Sequence, residues 1–189
     1  MNETDILREQ LSTERRHSRA VVLACRAAID VGVTEPQLEQ FARACAAYLI
    51  FVTSRLLAQD QAHAAQLRAR LDAAAADAPA VLDGLAVTLA TRTRLLSALQ
   101  LAERERVENR SSVASFIRAA RDALAGIEPD APSSEPALAA LLEEHYTITE
   151  WRAAAFATAD AILEERRLYK LVRAQLPPGI DLSADEGEP

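Results

Sequence analysis

Along most of this chain apolar residues return every three or four positions, and little in it breaks that rhythm. Spacing of three and four lays side chains along one stripe of an α-helix, whereas a half-buried strand alternates by two. Alternating β-branched runs are missing, and glycine, at 5 of 189 residues, is too scarce for the turns of a sheet protein. Aromatic residues are only 4%, so the stripes are mostly Ala and Leu, which favour helices and let them approach closely. An all-α fold is expected.

Start and stop signals divide the chain into four long helices. Helix 1 is predicted over 3–30, with Leu7, Leu11, Val21, Cys25 and Ala28 on its stripe and Val31, Gly32 and Val33 ending it. Thr34 as N-cap, Pro36 in the first turn and Gln37 as the reciprocal cap open helix 2. Its stripe is Phe41, Cys45, Tyr48, Val52, Leu56, His63, Leu67 and Leu71, and it stops before Pro79. Helix 3 begins near Ala80 with Leu82, Leu85, Leu89, Leu96 and Leu99, and its stripe continues toward Val113 and Ile117. Residues 109–112 read either as a break, with Ser111 as a new N-cap, or as the solvated face of one helix closed by Gly126. The Pro- and Ser-rich stretch 127–135 is a linker. Ser134 then caps helix 4, predicted to run to Leu176 with Leu138, Leu141, His145, Ile148, Phe156, Leu163 and Leu171 inward. Pro177, Pro178 and Gly179 end it. The expected architecture is an up-down-up-down four-helix bundle, one domain over 1–176, with 177–189 a disordered acidic tail.

The chain carries 28 acidic against 21 basic residues, a net charge of -7, which argues against a general nucleic-acid binder. Lys170 is the only lysine; the arginines are expected in ion pairs with the acids. The sequence is charged from Glu3 onward and has no uninterrupted apolar run near the roughly 18 residues a bilayer requires. A cytoplasmic location without membrane contact is expected, with Cys25 and Cys45 reduced and serving as small core residues. Trp151 and Tyr146 read as a packing anchor. No phosphate loop, nucleophile elbow or zinc-type cysteine cluster occurs, so phosphate-dependent and acyl-transfer chemistry are not expected, and the chain reads more as a non-enzyme than as an enzyme.

The residues that carry chemistry are the three histidines, each near a carboxylate: Glu14 with His17, Asp60 with His63, and His145 with Glu150. An acid and a histidine three residues apart share a helical face, the ligand spacing of metal-binding bundles. Counting back from the turn near Val33 puts His63 roughly 18 Å from the level of His17, so these histidines do not form one centre. The same counting sets Glu14 and His17 level with Glu103 on helix 3 and Asp160 on helix 4, with Arg106 and Arg152 in similar registers. Such a layer serves as a site for iron or another divalent metal, as a ligand pocket, or as an ion-pair network that fixes register.

The helix layout resembles that of hemerythrin-like and ferritin-like bundles, and helix 1 with its inward His17 is similar to a hemerythrin-type first helix. The resemblance implies a metal- or small-ligand-binding bundle. It covers helix layout alone, because three histidines fall short of the hemerythrin ligand set. The other reading takes Arg166, Arg167, Tyr169, Lys170 and Arg173 as a docking face for an acidic partner. The leading expectation is a non-enzymatic bundle without a cofactor that associates with a protein partner or with itself; metal or ligand binding is the alternative.

Overall fold

The computed structural model describes residues 3–31, 35–70, 78–108, 146–155 and 158–182. Those residues are helical almost throughout and contain no strand. They form α1 (Glu3–Val31), α2 (Glu35–Arg70), α3 (Ala78–Val107), α4 (Ile148–Ala155) and α5 (Ala159–Ala174). Pro79 lies in the first turn of α3, where its missing N–H costs nothing. Thr147 and Glu150 cap the start of α4 reciprocally: the Thr147 N–H donates to Glu150 Oε2 at 2.8 Å, and the Glu150 N–H to Thr147 Oγ1 at 3.4 Å.

α2 is the centre of the molecule. Its 36 residues span about 54 Å, and it touches each of the other four helices, α3 most extensively. Phe41, Cys45, Tyr48, Leu49, Val52, Leu56 and Leu67 are buried along it, as the stripe in the sequence predicts with Leu49 added. By length and composition the stretch Leu38–Ala69 is apolar enough to cross a membrane, but more than half of its most apolar window is buried inside this fold. Each large apolar side chain so buried stabilises by about 1.5–3 kcal/mol. From α1 come Ala20, Val21, Ala24, Cys25 and Ala28; from α3, Leu95, Leu99 and Ala102.

Side-chain pairings give the helix directions. Glu14 meets Arg55, and Cys25, further on along α1, meets Cys45, further back along α2, so α1 and α2 are antiparallel. Arg92 pairs with Asp60 while Arg106, near the end of α3, senses Glu39, so α3 also opposes α2. Tyr146 meets His63 and Glu165 meets Tyr48, so the last two helices oppose α2 as well. An up-down-up-down order would set the last helix parallel to α2, and these pairings do not bear that order out. The chain leaves α3 at the level of Glu39 and re-enters the described residues at the level of His63, roughly 36 Å away along α2. The predicted break at 109–112, the linker, the Ser134 cap and His145 lie outside the described residues.

Two further expectations are corrected. The single helix 4 is two helices: Thr158 has extended backbone angles and its Oγ1 accepts the Ala161 N–H at 3.2 Å, so a new helix starts there. This resets the helical phase, and the buried face of α5 is Glu165, Leu168 and Val172. Leu163 and Leu171, predicted inward, are 63% and 39% exposed. The boundary placed after Leu176 also moves outward. Pro177 to Ile180 make a turn in which the Ile180 N–H donates to the Pro177 carbonyl at 3.1 Å, with Gly179 at φ 84°, and this folds Ile180 and Leu182 into the core. Residues 183–189 lie outside the described part.

Candidate functional site

Antiparallel α1 and α2, closed by α5, bury a polar layer at mid-height. Glu14 is fully buried on α1; its Oε1 accepts from Arg55 Nη1 at 2.9 Å and from Gln10 Nε2 at 3.1 Å. His17, three residues on, turns to α5, with Nδ1 2.9 Å from Glu165 Oε1. The same oxygen accepts the Tyr48 O–H at 3.0 Å. Tyr169, one turn beyond Glu165, stacks on the His17 ring at 3.7 Å between centroids, 9° from parallel. Burial above all, then the charge of Glu165 and the hydrogen bond to it, then the charge of Glu14, push the Tyr48 hydroxyl well up, so it acts as a donor.

The two acids are held differently. Glu14 has a guanidinium, the stronger charge-assisted pairing, whereas Glu165 is held by a hydroxyl and an imidazole. On each acid the second oxygen, Oε2, is buried and has no hydrogen-bond partner. His17, with 27% of its side chain exposed, joins this interior to the surface. With Nδ1 committed to Glu165, Nε2 is the nitrogen left for any outside group.

A second polar level lies further along α2. Asp60, almost fully buried, is paired with Arg15 of α1 at 3.6 Å and with Arg92 of α3. One turn on, buried His63 has Nδ1 3.1 Å from the Tyr146 hydroxyl. Burial first, then the charge of Arg15, lower the His63 pKa to about 4, so at neutral pH the ring is uncharged.

Of the predicted layer, Glu14 and His17 are in place within it. Glu103 is gripped on its own helix by Arg106, at 2.8 and 2.6 Å. Asp160 is exposed in the first turn of α5, and Arg152 is exposed on α4. Glu165, Tyr48 and Arg55 complete the layer and escaped the sequence reading as polar partners. The usable signal was Glu165 three and seven residues before Leu168 and Val172, on the apolar stripe of a helix starting at Thr158. Of the predicted docking face, Arg166, Arg167, Lys170 and Arg173 are exposed. Arg167 is bound by Glu164, with two contacts of 2.7 Å, and Tyr169 faces inward onto His17. Among the described residues no group of three or more His, Cys, Asp or Glu side chains is arranged to hold a metal ion.

Comparison with protein families, with curated proteins and with solved structures gives no match.

Proposed function

We propose that this chain is a non-enzymatic helical bundle of the cytosol that acts by association, with a second copy as its partner, through the outer face of α5. One observation carries the reading: while Glu165, Leu168 and Val172 of α5 turn inward, Leu163 and Leu171 stand exposed two turns apart among Arg166, Arg167, Lys170 and Arg173. An apolar pair rimmed by cations has the composition of an interface. With 28 acids against 21 bases, the rest of the chain supplies the acidic complement. The test is sedimentation velocity across a wide concentration range, comparing wild type with Leu163→Asp and Lys170→Glu. Wild type should show a concentration-dependent second species, absent from both variants at unchanged circular dichroism. Monomer at every concentration would refute the reading.

The orphan Oε2 atoms of Glu14 and Glu165 favour a second reading, in which the polar layer takes iron or another divalent metal. Two unpartnered buried oxygens are expensive, and a cation relieves them. Metal analysis of protein purified without chelator, with melts in added iron or zinc, tests it: bound metal and a raised Tm support this reading, and their absence removes it.

A further inference from the structure

The pairing of Glu14 with Arg55 fixes the register of α1 against α2. Eleven residues along α1 and ten back along α2, that register sets Cys25 opposite Cys45. Both thiols are free and lie in the same apolar cluster, Cys25 at 9% exposure and Cys45 at 1%. Around them Ala24, Ala28, Ala42, Ala44 and Ala46 are also buried, and such small side chains let two helices approach closely. Burial, and after it a hydrogen bond with Cys25, push the Cys45 thiol well up, so Cys45 stays protonated in the resting fold.

We propose that Cys25 and Cys45 form a clasp between α1 and α2 that closes by oxidation with a small-molecule disulfide. Cys25, at the rim of the cluster, loses its proton to solvent and attacks one sulfur of the small disulfide, expelling one thiolate and forming a mixed disulfide. Cys45 then gives up its proton and attacks Cys25 Sγ, expelling the second thiolate and leaving the Cys25–Cys45 bond. The expelled thiolates take up the two protons, so the protein loses two protons and two electrons while the small disulfide becomes two thiols. The clasp ties the helix carrying Glu14 and His17 to the helix carrying Arg55 and Tyr48. It does not depend on the association proposed above.

The experiment treats the full, folded chain with oxidised glutathione and reads intact mass, the non-reduced peptide map and the melting temperature. Expected are a loss of two hydrogens, one cross-linked peptide joining Cys25 to Cys45, and a Tm about 5 °C higher that dithiothreitol reverses. Cys45→Ser should trap glutathione on Cys25, whereas Cys25→Ser should leave Cys45 unmodified in the folded protein. Wild type that accumulates as a glutathione adduct, or reacts only in denaturant, or melts lower once oxidised, would overturn the proposal.

Discussion

Asp60 is shared by two arginines, and what its loss leaves behind sets the cost. Asp60→Ala strands Arg15 and Arg92 beside a buried cavity; because both keep some contact with water, the expected loss is near the low end for a broken buried pair, about 3 kcal/mol. Asp160→Ala, on an exposed first turn, should stay within about 1 kcal/mol, and urea denaturation of the two variants side by side checks the contrast. Tyr48→Phe takes one donor from buried Glu165 and should cost about 1–3 kcal/mol in the same assay. His63 adds a pH dependence whose sign is fixed by its lowered pKa. The unfolded chain takes up this proton near pH 6.5 and the folded one only near pH 4, so the contribution is complete above pH 6.5 and shrinks as pH falls toward 4. The total is about 3 kcal/mol. Denaturation at pH 7 and pH 4.5 should show the loss in wild type, with this component missing in His63→Gln.

At the scale of the helix, what could be read in advance depended on whether the helical phase was unbroken. α1 and α2 are continuous, so Val21, Cys25, Phe41, Tyr48 and Val52 are buried as their spacing predicts. In the last segment the phase is broken at Thr158, so Leu163 and Leu171 beyond it were assigned inward and Glu165 went unnoticed, while the basic residues of the docking face were rightly placed outward. A threonine followed by Ala159, Asp160 and Ala161 is a start signal, but the surrounding alanines offered no competing stop. Thr158→Ala should therefore weaken α5 by about 1 kcal/mol, seen as a lower urea midpoint. Gly179 is the matching case at the other end of α5. Its φ of 84° suits a residue without Cβ, so Gly179→Ala should lower stability by about 1 kcal/mol and loosen the docking of Ile180 and Leu182.

For the molecule as a whole, a helix in contact with every other described helix should be the last to open. Native-state hydrogen exchange is expected to show the slowest amides in α2 between Phe41 and Leu56, exchanging only through global unfolding; faster exchange there than in α3 would contradict the central placement. The site was half legible at this scale. Glu14 and His17 follow from local spacing, but Glu165 depends on the direction of a helix reached after residues 109–145, which local spacing does not encode. That same separation has a consequence for synthesis. Tyr48 emerges 117 residues before Glu165, a delay of roughly 6–23 s at ordinary elongation rates. Through that interval the nascent α1–α2 hairpin presents a wet, half-built seam to which any holding chaperone has first access.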